Sequence, residues 1–191
     1  TITMLCKLLE DGKKIREGLI MPYQIDVAYE TVRSECHGSD ARLVLKALQN
    51  GYMQSVPNLA KALPGKTAVL VDCSGSMNTT CYTKNGRIQA TAAEKAGLLA
   101  ATIAKAINAD VVRFGSYAHH VDYDPNQNVF DMGRMIGSAN EGGTNIGAAF
   151  NALSKKYDRI ILLSDNEANY GNSTSNAYKS YIRRTGANPY V

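Results

Sequence analysis

Thr67-Ala68-Val69-Leu70-Val71-Asp72-Cys73-Ser74-Gly75-Ser76 runs a short apolar and β-branched stretch straight into an aspartate and two serines. A brief continuous apolar run bounded by polar or glycine residues suits a strand covered on both faces. Residues 110–114 and 159–163 have the same character and predict two further strands of a parallel sheet. Between the first two strands, Ile88, Ala92, Ala96, Leu99, Ile103 and Ile107 recur every three or four residues. That spacing predicts a helix over 87–108 with one apolar face, and strand, long helix, strand is a βαβ unit.

Further along, residues 118–123 read as a short edge strand, 128–136 as a weak helix, 145–155 as an alanine-rich helix and 175–184 as a last helix before Gly186. The order predicts an α/β fold, a doubly wound and mostly parallel sheet of Rossmann-like type. Upstream the period is helical only. An apolar run at 4–9 breaks at Asp11-Gly12, Pro22 can open a helix, and Ser39-Asp40 can cap a stretch over 41–52. There Leu43, Val44, Ala47, Leu48 and Met53 fall near one face. Leu63-Pro64-Gly65-Lys66 ends the helical pattern. The expected organisation is therefore a helical segment over 1–63, a linker over 64–66 and the α/β domain over 67–191. The chain starts at Thr1 and stops at Val191, where the pattern would be entering another strand, so the expectation is a piece of something longer with its last domain cut short.

Composition narrows the function classes. With 45% hydrophobic and 20% charged residues the chain is an ordinary globular protein and not a disordered one. The net charge of +4 splits evenly about the linker, so no segment reads as a basic arm for nucleic acid. No apolar stretch approaches the roughly 18 residues of a membrane span, and no membrane partner is expected. Cys6, Cys36, Cys73 and Cys81 form no CxxC pair and suit free thiols, which points to a reducing cytoplasm.

The chemistry concentrates at strand ends. In an open parallel sheet, ligands bind beyond the carboxyl ends of the strands, and Asp72 and Asp165 follow two of the predicted strands. Asp72, Ser74 and Ser76 offer three oxygen side chains at alternating positions, with Gly75 letting the backbone curl. Gly142-Gly143 can bring the Thr144 hydroxyl to the same crevice at the start of a helix. Carboxylate and hydroxyl ligands without His or Cys select Mg²⁺, with Mn²⁺ or Ca²⁺ as alternatives, over Zn²⁺. Glu167 and Asn166 are candidates for the outer shell. His119 and His120, adjacent on a strand, would point to opposite faces and cannot chelate one ion. The pairs Lys13-Lys14, Lys155-Lys156 and Arg183-Arg184 read as solvated helix faces.

Asp72, Ser74, Ser76, Thr144 and Asp165 resemble, in order, the metal-ion-dependent adhesion site (MIDAS) of von Willebrand factor A domains. The resemblance implies that the hydroxyls bind a cation directly, that the aspartates bind directly or through water, and that a partner's carboxylate completes the shell. Gly142-Gly143-Thr144 and Ser164-Asp165-Asn166-Glu167 resemble more specifically the site motifs of the Ro autoantigen family, the TROVE-domain RNA-binding proteins. Residues 22–31 and 42–52 look like the last helices of a TROVE ring. This implies a ribonucleoprotein context in which small noncoding RNA would be bound by upstream helices, so no RNA-binding residue can be assigned in this chain.

The expected function is a divalent-cation-dependent binding module of such a protein, and not an enzyme. One alternative is a structural domain that closes a helical ring. The other is a Mg²⁺-dependent hydrolase, which two aspartates around a cation could serve. Against it, no GxxxxGK[ST] loop is present, and no His or Lys is placed to take a proton from Ser74.

Overall fold

The computed structural model describes every residue except 61–62, 83–87, 139, 166–170 and 172. The chain folds as two compact units, one built on Thr1–Pro64 and the other on Gly65–Tyr82 with Ala90–Val191.

The first unit is helical: α1 (Ile2–Leu9), α2 (Gly12–Glu17), α3 (Pro22–Glu35) and α4 (Ser39–Ala60). Asp11 caps α2, its carboxylate accepting from the N–H groups of Lys13 and Lys14, and Pro22 occupies the first turn of α3, where no N–H is needed. Each of the first three helices packs on α4. The buried face of α4 is Ala41, Ala47, Leu48, Gly51, Tyr52, Ser55, Val56 and Asn58. Leu43, read from the sequence as part of the apolar face, is 55% exposed. Small and polar residues share the contact with Leu48, Tyr52 and Val56. A Cβ at Gly51 would lie 2.2 Å from the carbonyl oxygen of Leu9, and the Asn58 amide donates to the carbonyls of Ile15 and Ile20. The helix also runs past its expected end and continues through Pro57.

The second unit is a sheet flanked by helices. From residue 67 on, the strands and helices are β1 (Thr67–Asp72), a 3-10 turn (Gly75–Asn78), β2 (Thr80–Tyr82), β3 (Ile88–Thr91), α5 (Ala92–Ile107), β4 (Asp110–Phe114), β5 (Ala118–Val121), α6 (Val129–Gly137), α7 (Ile146–Ala152), β6 (Arg159–Leu163) and α8 (Thr174–Thr185). The main sheet has the order β5-β4-β1-β6. β1 pairs in parallel with β4 and with β6, in register Val71↔Arg113 and Val71↔Leu163, and β5 closes one edge antiparallel. Beyond β6, Tyr190 forms a parallel bridge with Arg159.

The pleat sorts the core. Ala68, Leu70, Val112, Phe114 and Ile160 pack with Ile146, Ala149, Phe150, Leu153, Ala177 and Tyr181 of α7, α8 and their flanks. The alternate residues Val69, Val71 and Val111 are equally buried and face the side where α5 packs on β1 and β4 and α6 packs on α5. Helices on both faces make the sheet doubly wound.

After the linker, α5 and α7 depart from their expected bounds by several residues. α5 begins at Ala92 and not near residue 87, because Thr91 and Glu94 form a capping box: the Thr91 hydroxyl accepts the Glu94 N–H and the Glu94 carboxylate accepts the Thr91 N–H. Ile88, which fits the helical period, lies on a strand. α7 stops at Ala152 with Leu153 extended; the Arg184 guanidinium takes up the carbonyls of Phe150, Asn151 and Leu153 at that end.

α5 and α6 approach at backbone distance. A Cβ on Gly97 would lie 2.3 Å from the Gly133 carbonyl oxygen, and one on Gly137 would lie 2.3 Å from that of Ala93. Gly97→Val is therefore expected to destabilise the protein by about 1–3 kcal/mol through overpacking. Urea unfolding would show a lowered midpoint with unchanged slope, and an unchanged midpoint would contradict the packing described.

Candidate functional site

The sheet order fixes where a site can form. From β1 the chain crosses to β4 on one side, then returns to place β6 on the other. The order reverses between β1 and β6, and the crevice at their carboxyl ends is the topological switch point. Asp72 is the last residue of β1, and Ser164-Asp165 directly follow β6.

Asp72 is fully buried. Its Oδ1 accepts the Ser74 N–H at 2.9 Å and its Oδ2 accepts the Ser164 hydroxyl at 2.7 Å. The second bond ties the ends of β1 and β6 together, and Asp165, the next residue after Ser164, is exposed. Ser74 is buried and Ser76 half-buried, and their hydroxyl oxygens are 3.1 Å apart. Two hydroxyls two residues apart thus share one direction on the 3-10 turn.

Thr144 arrives from the other side. Gly142 takes φ +80°, a left-handed conformation that glycine adopts without strain, and its carbonyl accepts the Gly75 N–H at 2.9 Å. That bond holds the 142–144 segment against the 74–76 turn, and Thr144 is buried two residues on. Asn145 then caps α7, its side-chain oxygen accepting the Ala148 N–H. Gly75 is less constrained than the sequence reading held: a Cβ there would meet its nearest neighbours at 3.8 Å, an ordinary contact, and its φ is not positive. Gly142 carries the conformational demand.

A third loop, after β4, completes the frame. Cys73 N–H donates to Phe114, Glu141 N–H to Cys73, Ser116 N–H to Glu141 and Asn145 N–H to Gly115, all at 2.7–2.9 Å. The Ser116 hydroxyl also accepts the Gly143 N–H at 3.0 Å. Glu141 and Arg113 form an ion pair at 2.7 Å beneath these loops. Ser116, Arg113, Glu141 and Ser164 were not among the site residues named from the sequence. Only Glu141 and Ser164 carried any signal, as neighbours of the glycine pair and of Asp165.

The donor set is hard. Among the described residues no three His, Cys, Asp or Glu side chains cluster as a metal site, so a cation here would depend on the hydroxyls. No cationic side chain forms an ion pair with Asp72 among the described residues. His119 and His120 diverge, the first standing 3.3 Å from Glu141 and the second bonding the Ala152 carbonyl. Glu167 and Asn166 lie outside the described residues.

All four cysteines are free. Burial pushes the Cys73 thiol up to about 12, with the Glu141 and Asp72 charges adding to it and Arg113 opposing. A thiol raised that far stays protonated through the neutral range and is a poor nucleophile. Brief alkylation at pH 8 should therefore label exposed Cys36 in the native protein and reach Cys73 only on unfolding. Native labelling of Cys73 at the rate of Cys36, read by peptide mass spectrometry, would contradict the burial.

No protein-family model matches the chain, and no curated protein matches it by sequence. Among the helices described, none is long and apolar enough to cross a membrane. In fold, the chain is similar to the crystal structure of the Deinococcus radiodurans Ro (RSR) protein, with a TM-score of 0.79 at 17% identity. The match covers 99% of this chain and 40% of that one, so the chain has the fold of two-fifths of the Ro protein's length.

Proposed function

We propose that the second unit is a divalent-cation-dependent binding module of a cytoplasmic, Ro/TROVE-like RNA-binding protein, with a von Willebrand factor A fold and no catalytic role. Asp72, Ser74, Ser76, Thr144 and Asp165 hold the ion, Mg²⁺ in the cell, and a partner supplies a carboxylate to it. The observation that supports this reading above the others is the state of Asp72. A carboxylate with no exposed surface sits at the switch point with two hydrogen bonds and no cationic side chain paired to it among the described residues. Burying a carboxylate without a compensating charge is costly, and a hard cation among neighbouring hydroxyls would offset that cost. When bound, such an ion would offer a Lewis-acidic position to an incoming carboxylate.

The catalytic alternative has less support. The Ser74 hydroxyl faces that of Ser76, and among the described residues no His or Lys bonds it to act as a base. RNA enters through the likeness to the Ro protein and would be held by parts of a longer chain.

Calorimetric titration of Mg²⁺ and Mn²⁺ into chelator-treated protein tests the reading. The wild type is expected to bind one equivalent saturably, Asp72→Ala and Asp165→Ala to lose most of that affinity, and all three to keep the same circular dichroism. Equal binding by wild type and Asp72→Ala, or none by either, would overturn the proposal.

A further inference from the structure

We infer that Glu141, locked to Arg113, is the positioning residue of the cation site, an inference that rests on the cation reading above. Glu141 bonds the loops that follow β1 and β4 without belonging to the proposed donor set. Its N–H donates to the Cys73 carbonyl on the β1 side, and its carbonyl accepts the Ser116 N–H on the β4 side. A Cβ on Gly115 would lie 2.4 Å from that carbonyl oxygen, so the backbones of the two loops are in direct contact. Gly142, the next residue, accepts from Gly75, and Thr144 follows.

The side chain anchors this junction to the sheet. Oε1 accepts from Arg113 Nη2 at 2.7 Å, while Arg113 Nη1 donates to the Met135 carbonyl at 3.2 Å near the end of α6. Oε2 lies 3.3 Å from His119 Nε2 on β5. The Glu141 side chain is 12% exposed and that of Arg113 23%, so the pair is shielded from solvent and bound to strand β4, whose Arg113 is in register with Val71 one residue before Asp72. A shielded ion pair adds little net stability but specifies one arrangement. The arrangement specified here is the height of the 141–144 segment over the 74–76 turn, hence the distance between Thr144 and the two serines.

Positioning and direct ligation predict different responses. A ligand carboxylate cannot be replaced by an amide without loss, whereas an amide still accepts the Arg113 hydrogen bond. Arg113 gives a sharper contrast: Coulomb's law alone makes removal of a nearby positive charge tighten cation binding, while loss of a positioning anchor weakens it.

The experiment measures Mn²⁺ affinity by calorimetry on wild type, Asp72→Ala, Glu141→Ala, Glu141→Gln and Arg113→Met, each checked for folding and for melting temperature in chelator. We expect Glu141→Ala and Arg113→Met to bind about 10–100-fold more weakly, the range for lost outer-shell support, and Glu141→Gln to recover to within about threefold of wild type. Arg113→Met binding as tightly as wild type or tighter, Glu141→Gln as weak as Glu141→Ala, or melting temperatures that fall at unchanged affinity would each overturn the inference. If Arg113→Met does not fold, the two Glu141 variants decide. Absent binding by wild type defeats the cation reading and this inference with it; wild-type binding equalled by Glu141→Ala defeats this inference alone.

Discussion

A carboxylate at the end of a fully buried strand has to be satisfied by whatever the fold brings next to it, and the architecture around the site follows from that demand. Asp72 is reached by the Ser74 N–H from its own loop and by the Ser164 hydroxyl from the neighbouring strand. The first bond turns the chain sharply out of β1. The second requires β6 to lie beside β1 in parallel, the pairing the sheet has. Because β4 occupies the other side of β1, the crevice above Asp72 opens where two crossovers diverge. Local satisfaction of one polar group and the global strand order are in this sense the same constraint.

The loops that rim the crevice hold one another through main-chain bonds more than through side chains. A chain of donors runs from Cys73, Gly75, Ser116, Glu141 and Asn145 to carbonyls of the neighbouring loops. Beneath them lies the Arg113–Glu141 ion pair. The Cys73 thiol lies in the same layer, donating to the Ile136 carbonyl and kept neutral by burial. A floor of backbone bonds with one ion pair and one neutral thiol presents hydroxyls in a fixed geometry. Such preorganisation is what a hydroxyl-rich cation site needs, since neutral oxygen ligands attract an ion more weakly than carboxylates do.

Much of the second unit was legible from residue pattern. Continuous β-branched runs located β4 and β6 residue for residue, because strands covered on both faces need apolar side chains at consecutive positions. Helix starts were less legible where two signals competed: Ile88 fits the period of α5, yet the reciprocal bonds of Thr91 and Glu94 decide where the helix begins. On α4 the hydrophobicity pattern found Ala47 and Leu48 but also pointed to the exposed Leu43, and it passed over Gly51, Ser55 and Asn58 of the packed face, residues whose value lies in small size or a hydrogen bond. The site showed the same division. Asp72, Ser74 and Ser76 stand together in the chain and were readable as a group. The Ser164 bond to Asp72 and the Arg113–Glu141 pair join residues 92 and 28 positions apart, and no local spacing announces such partners. The fold resemblance to a Ro protein agrees with the architecture read from the sequence and is silent on the ion.

Anomalous diffraction from crystals grown with Mn²⁺ would locate the metal without reference to any partner. One strong anomalous peak is expected in the crevice between β1 and β6, on the order of 2 Å from the Ser74 and Ser76 hydroxyl oxygens and absent in crystals of Asp72→Ala. A crevice with no anomalous density at saturating Mn²⁺, or a peak held by other residues, would contradict the cation reading.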